Sequence, residues 1–332
     1  MCEKGAFVRE KIPSMRIAIC IGTYKRSGLL RELLAGISEL AFRKKPAPQI
    51  EIIVVDNDPA KTAEEVCRAV ELGWPLKYIV EERRGIAQVR NRAVKEAGAV
   101  DFIVFIDDDE VPTAEWLDEL LSAQHRFGAD VVSGPVAPKF APGVAEWVKA
   151  SGLFHRPSFP TGHSLEKCST GNVLVRREVF SLVPTFDDRF SLSGGEDSHF
   201  FLRVRKAGHS IVWSEEAVVY ESISSERANF VWILRRGYQS GNSWPLCEAS
   251  LDDRLRVRLV RFLKAWAYVA SGAAGALVSL FLGKAALARS LRTVCVGLGM
   301  LTGLAGRKFL AYQFKGAVSV AKPPRFAEHT KA

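Results

Sequence analysis

Acid almost disappears from one end of this 332-residue chain: residues 254–332 hold 14 Lys or Arg and a single carboxylate, Glu328, a local charge of +13. Residues 1–253 therefore carry −4, although the whole chain carries +9. A nucleic-acid enzyme concentrates its basic residues on the body that forms its groove. The distribution argues against nucleic acid and towards an anionic membrane surface met by the tail. Cysteine is also scarce. Cys2, Cys20, Cys67, Cys168, Cys247 and Cys295 form no C-x-x-C pair and have no His at zinc-ligand spacing, which excludes a disulfide scaffold and a structural zinc site. Free thiols in a reducing compartment are expected. The first 15 residues are charged, interrupted by proline and without the apolar core of a signal peptide, so the main domain is expected to stay in the cytoplasm. There is no internal repeat. With 48% hydrophobic and 25% charged residues, the composition excludes a disordered or collagen-like chain.

What is present is a regular alternation of strand and helix signals. Residues 16–22 form a short apolar run, and Ser27 caps a segment with Leu29, Leu30, Leu33, Leu34, Ile37 and Leu40 at helical spacing. A second strand is predicted over 51–56 and a helix from Asp58, as N-cap, and Pro59 to about Leu72. A strand over 76–80, a helix over 85–97 stopped by Gly98, and a strand over 101–107 that is apolar on both faces follow. A helix over 113–126 and a strand over 130–136 continue the series. This order predicts an α/β fold with a mainly parallel sheet and helices on both faces, binding its ligand beyond the carboxyl ends of the strands. Residues 137–167 are rich in Pro, Gly and Ser and read as a long loop or lid. A strand over 172–176, an acidic turn at 193–197 leading into a helix to Ala207, short strands near Val212 and Val219, and a helix over 227–241 complete the main body. The expected division is an N-terminal tail over 1–14, the α/β domain over 15–250, and a basic, apolar helical region over 251–332.

The polar ends of the strands carry the chemistry. Asp107, Asp108 and Asp109 follow an apolar strand; in extended chain Asp107 and Asp109 share a face, where two carboxylates can engage a hard divalent cation such as Mg²⁺ or Mn²⁺. A solvated turn is the alternative. Asp56 ends its strand where a base or ribose could be met, and equally reads as a turn aspartate. Arg83, Arg84, Gly85 and Arg90 surround the start of a helix whose free N–H groups could hold an anion. Ser193 and Glu196 have capping-box spacing, and Asp197 falls in the first turn, where an ionised carboxylate facing a cleft suits a general base.

Taken in order, Thr23 to Arg26, VVDND around Asp56, RRGIAQVRN at 83–91, FIDDDE around Asp107 to Asp109, CSTGNVLVRR at 168–177 and SGGEDSHFFLRVRKAG at 193–208 resemble the family 2 inverting glycosyltransferases of the GT-A fold, and among them the bacterial exopolysaccharide enzymes of the succinoglycan type. The resemblance covers about residues 14–245. It implies that Thr23, Asp56 and Arg90 hold the base, ribose or phosphates of a nucleotide-sugar donor, with a UDP-sugar as the leading candidate. It implies Asp107 and Asp109 as the DxD acids that bind Mg²⁺ or Mn²⁺, Gly171 and Asn172 as the loop over the donor sugar, and Asp197 as catalytic base. The implied reaction is transfer of a single sugar to a hydroxyl of a lipid-linked oligosaccharide acceptor at the cytoplasmic face of the bacterial inner membrane. Alternatives are a polyprenyl-phosphate glycosyl synthase and a non-catalytic nucleotide-sugar- or glycan-binding scaffold. Two departures stand out. Glu221 occupies a place where family members often carry His, and Gln239-Ser-Gly-Asn-Ser-Trp244 lacks the Arg of the Q-x-x-R-W motif of processive members. Arg235 and Arg236 read as helix-surface charge more readily than as diphosphate contacts.

In the tail, residues 265–283 are uncharged and just long enough to span a bilayer, while 293–306 is a shorter uncharged run suited to an interfacial or re-entrant segment. Lys284, Arg289 and Arg292 between them fit a clean pair of spans poorly. Shallow membrane insertion is expected; a buried helical hairpin or a dimer contact is the other reading.

Overall fold

The structure, a computed structural model, describes residues 15–44 and 46–310; the expected N-terminal tail, Cys2 and the end of the basic region lie outside the described residues. In chain order the elements are β1 (Arg16–Thr23), α1 (Ser27–Ser38), β2 (Gln49–Asp56), α2 (Glu64–Ala69), β3 (Leu76–Val80), α3 (Ile86–Glu96), β4 (Phe102–Ile106), β5 (Glu110–Pro112), α4 (Trp116–Phe127), β6 (Val131–Ser133), β7 (Val136–Phe140), α5 (Glu146–Ala150), β8 (Asn172–Arg176), α6 (Val179–Leu182), α7 (Glu196–Lys206), β9 (Ile211–Trp213), β10 (Val219–Ile223), α8 (Phe230–Leu251), α9 (Leu255–Leu282) and α10 (Lys284–Leu304). Seven strands form one sheet in the order β3-β2-β1-β4-β8-β6-β9. β3, β2, β1 and β4 run parallel, β8 is antiparallel to both its neighbours, and β6 and β9 are parallel. A second sheet, β5-β10-β7, stands at the carboxyl side of β4.

The apolar runs of the central strands are explained by burial on both faces. Side chains alternate along a strand, so Ile17, Ile19 and Ile21 meet Leu30, Leu33, Leu34 and Ile37 of α1 in one core, while Ala18 and Cys20 meet Val89 and Ala93 of α3 in another. Thr23 and Asp56 end level with each other on adjacent strands. The expected helices on both faces of a mainly parallel sheet are present, and Cys20, Cys67, Cys168, Cys247 and Cys295 are free.

Several expected elements differ, each for a local reason. The helix expected from Pro59 begins at Glu64, because the Asp56 carboxylate draws in the N–H groups of Asp58 (2.9 Å) and Ala63 (3.0 Å) and folds the intervening chain into turns. The run 130–136 splits at Gly134-Pro135 into β6 and β7, which belong to different sheets; a Cβ at Gly134 would lie 2.3 Å from the Ala217 carbonyl oxygen. The supposed loop 137–167 contains β7 and α5, and packs Val144, Val148 and Phe154 against Ile223 and Ile233. The helix expected to stop at Gly241 continues as α8 to Leu251, with Pro245 inside it.

α10 packs against both α8 and α9. Its contacts with α8 are backbone to backbone: a Cβ at Gly241 would lie 2.0 Å from Val296 O, at Gly299 2.1 Å from Tyr238 O, and at Gly303 2.4 Å from Asn242 O. Absence of a side chain is what permits this approach. The uncharged run 293–306, expected at a membrane interface, is therefore the inner helix of a bundle, with Val296, Gly297, Gly299, Met300 and Gly303 buried. Of the intervening charges, Arg289 also turns to protein, donating to the carbonyls of Ala150 and Ser151. α9 differs. It is long and apolar enough to cross a membrane, and Leu259, Phe262, Trp266, Leu277 and Phe281 are exposed on it.

Candidate active site

β4 delivers the acidic triplet to the carboxyl edge of the sheet, but the strand ends at Ile106 and the triplet is a turn, closed by the Glu110 N–H donating to Asp107 O at 3.1 Å. The extended geometry that would put Asp107 and Asp109 on one face does not apply. Asp107 is 43% exposed at its side chain and faces a cleft of about 440 Å³. Asp108 turns inward, accepting from the Thr23 hydroxyl (2.8 Å) and Arg26 (3.0 Å); burial pushes its carboxyl up to about 6, against the pull of Arg26. Asp109 is buried, and its Oδ2 takes both Arg26 (3.1 Å) and Arg227 (2.7 Å). Burial, and then Asp107, raise the Asp109 carboxyl, while the two guanidiniums oppose the rise.

Asp197 enters the same cleft from the first turn of α7, where its Oδ1 accepts the Ser198 N–H at 2.6 Å. The turn depends on Gly195, at φ +96° and with Ser243 Cβ only 3.0 Å from where its own Cβ would stand. Ser193 donates to the Gly194 carbonyl, and the expected capping box is absent because the N-cap is Gly195. Next to Asp197, Glu196 is buried and ion-paired with Arg90, whose other nitrogen lies 3.4 Å from Asp107. Burial pushes Glu196 up to about 7, with Arg90 pulling the other way. Arg90 thus ties α3, α7 and the acidic turn together.

Of the residues expected at the site, the cleft brings together Arg90, Asp107, Gly171 and Asp197. Thr23, Asp56, Asp109 and Asn172 do not line it. Asp56 is fully buried and accepts from the Asp58 and Ala63 N–H groups and the Tyr78 hydroxyl (2.8 Å), the bonds of a turn aspartate. Asn172 accepts from Trp116 Nε1 (2.7 Å) and donates to Pro135 O (3.0 Å) and Ala217 O (2.7 Å), so its side chain joins the two sheets. Thr23 spends its hydroxyl on Asp108. The anion site expected at Gly85 is filled by the chain itself: Gly85 N–H donates to Asn57 Oδ1 (3.0 Å) and Ile86 N–H to Ser191 O (3.2 Å).

His199, one turn beyond Glu196, is buried with its ring 4.9 Å from that of Phe190. Burial, helped by Arg203, lowers it to about 4 from its ordinary 6.5. A depressed histidine is neutral in the fold, so its contribution is intact above about pH 6.5 and is lost as pH falls towards about 4. Thermal melts of wild type and His199→Phe are expected to diverge across that window, wild type losing more; identical acid slopes would contradict this.

The sequence and the fold identify the family at this point. Residues 18–183 match the glycosyl transferase family 2 model and residues 102–306 that of glycosyl transferase family group 2. The chain belongs to glycosyltransferase family 2. It is 31% identical over 309 residues to succinoglycan biosynthesis protein ExoM of Rhizobium meliloti (strain 1021), covering 89% of this chain and 94% of that one. Its fold is similar to the mannosyltransferase PcManGT from Pyrobaculum calidifontis, solved with GDP-Man and Mn²⁺ (TM-score 0.61, 18% identity, 88% of each chain). It is also similar to S. aureus TarS 1-349, solved with UDP (TM-score 0.50, 16% identity, 88% and 92%). The architecture is GT-A-like.

The donor set of this family 2 chain suits a hard cation that keeps waters and takes substrate oxygens. Asp107 presents a half-exposed carboxylate to the cleft, and both guanidinium contacts of Asp109 fall on Oδ2. Among the described residues no three His, Cys, Asp or Glu side chains are grouped to cage a metal. One or two carboxylates completed by a substrate diphosphate is the usual arrangement for Mg²⁺. Glu221, where the family resemblance leads one to expect His, is ion-paired to Arg156 (3.0 Å) and to Arg227. Sequence reasoning missed Arg156, in an aperiodic segment, and Arg227, at the start of the helix expected over 227–241. Arg236 had a readable signal: Ile233, Arg236, Gln239, Ser240 and Ser243 are spaced as one helical face, and that face lines the cleft.

Proposed function

We propose that this glycosyltransferase moves a single sugar, with inversion, from a nucleotide-sugar donor, first a UDP-sugar, to a hydroxyl of a lipid-linked glycan in exopolysaccharide biosynthesis. What supports this reading above all is that Asp107 and Asp197, delivered by different elements, open onto one cleft at the carboxyl edge of a GT-A-like sheet. Asp197 takes the proton from the acceptor hydroxyl as its oxygen bonds to the anomeric carbon. The bond to the diphosphate oxygen breaks on the opposite side, its electron pair leaving with the nucleoside diphosphate, so one displacement inverts the centre. Asp107 and Asp109 would hold Mg²⁺ or Mn²⁺, which supplies neutralisation of charge on the leaving group. Arg90 keeps Asp107 and Glu196 in register, and Thr23 with Arg26 fixes the turn that carries the acids. The exposed apolar face of α9 and the basic residues before it are the proposed contact with the cytoplasmic face of the bacterial plasma membrane.

A thermal-shift screen of UDP-, GDP- and dTDP-sugars with Mn²⁺ tests the donor. A ligand at about 100 times its Kd stabilises the fold by about 2.7 kcal/mol, read as roughly 5–10 °C for a chain of this size. One nucleotide class should show that shift and depend on the cation. No shift with any of them would overturn the assignment.

A further inference from the structure

Five arginines reach the cleft: Arg90, Arg156, Arg227, Arg236 and Arg292. Three are spent on carboxylates, Arg90 on Glu196 and Asp107, Arg156 on Glu221, and Arg227 on Asp109 and Glu221. Among the described residues Arg236 and Arg292 have no ion-pair partner; Arg236 Nη1 donates to the neutral Gln239 Oε1 at 3.1 Å. They come from different helices. Arg236 lies on α8, whereas Arg292 belongs to α10, within the region read from sequence as a membrane anchor. Its presence in the cleft is built into the packing, since a Cβ at Gly237 would lie 2.8 Å from Arg292 Cγ and 3.1 Å from Arg292 O. Only a glycine there lets the stem of Arg292 lie flat against α8. The two guanidiniums line one cleft, and two like charges share a cleft at a cost that a bound anion removes.

The chemistry of an anion between them is specific. Guanidinium groups match the paired oxygens of phosphate or carboxylate. The position is also informative: Gln239 of α8, which accepts from Arg236, donates to Ser193 O in the turn that leads to Asp197, whereas the acidic turn that would meet the donor diphosphate arises from β4. α10 packs along α9, whose outer side is apolar and exposed. We propose that Arg236 and Arg292 form a subsite for an anionic group of the acceptor, a phosphoryl group of its lipid carrier or a carboxylate of its sugar. This rests on the transferase reading above. It gives the C-terminal helices a part in acceptor binding as well as attachment.

Calorimetric titration of the full chain in detergent with farnesyl diphosphate, and separately with glucuronate, tests the subsite. The donor site is first filled with Mn²⁺ and the nucleoside diphosphate chosen by the thermal-shift screen. Arg236→Gln and Arg292→Gln are each expected to weaken one of the two anions about tenfold, while the nucleoside diphosphate shift stays as in wild type and reports an intact fold. Loss confined to farnesyl diphosphate assigns the lipid carrier, and loss confined to glucuronate assigns the sugar; both support the subsite. Unchanged affinity for both anions in both variants, or binding of neither by wild type, overturns it. If no nucleoside diphosphate binds wild type, the transferase reading fails, and the same two anions titrated without nucleotide still decide the subsite.

Discussion

Asp197→Asn is expected to lower kcat by about a thousandfold, within the range that general acid–base catalysis contributes, while leaving donor binding as in wild type. The substitution is close to isosteric. The Asn carbonyl oxygen can still accept the Ser198 N–H that Asp197 Oδ1 accepts at 2.6 Å, so the first turn of α7 should hold. Gly195 and the Arg90–Glu196 pair are untouched. What is lost is the capacity to take a proton from the acceptor hydroxyl, which is a property of the transition state and not of the ground state, so kcat should fall with little change in KM. The decisive comparison is single-turnover transfer against donor thermal shift in the same preparation. A full shift with transfer reduced about a thousandfold supports Asp197 as the base. Undiminished transfer would remove it from that role and favour an acceptor already ionised, such as a lipid phosphate.

How much was legible depended on whether the signal was periodic or spatial. The apolar runs of β1, β2 and β4 and the helical spacing of α1 carried the parallel sheet, because burial on both faces leaves no alternative pattern. Asp107 and Asp197 were legible as acids at strand and helix ends. Their neighbours were not. Nothing local distinguishes a strand-end carboxylate that faces solvent from one, like Asp56, whose own loop wraps round it and satisfies it with two N–H groups and a tyrosine hydroxyl. The inner position of α10 was hidden for a related reason: a short uncharged run reads the same whether lipid or another helix covers it. The glycines at 237, 241, 299 and 303 were visible, but their meaning is a contact between helices almost sixty residues apart. Arg292 reaches the cleft only because of that contact.

Asn172→Ala should destabilise the chain by on the order of 4 kcal/mol, since it orphans two buried groups and each costs about 1–3 kcal/mol when left unpaired. The groups are Trp116 Nε1 on α4 and the carbonyl of Ala217, which precedes β10; the Pro135 carbonyl keeps the Val219 N–H at 3.1 Å. Asn suits the position because one side chain supplies an acceptor and two N–H donors to fixed partners. The melting temperature should fall by roughly 10 °C at about 2–4 °C per kcal/mol. Asn172→Asp should fall further, because it keeps the acceptor for Trp116 but turns a carboxylate oxygen towards two carbonyls in a buried site. If Asn172 instead held the donor sugar directly, Ala would raise the donor KM and leave the melting temperature near wild type. The two outcomes separate cleanly by scanning calorimetry and donor titration at 15 °C. The expected pattern, a large loss of stability with unchanged donor KM, follows from Asn172 lying behind the cleft and Gly171 on it. The side chain at 172 joins the two sheets, and the bare backbone at 171, where a Cβ would stand 2.6 Å from Glu110 Oε1, keeps the cleft wall close to the acidic turn.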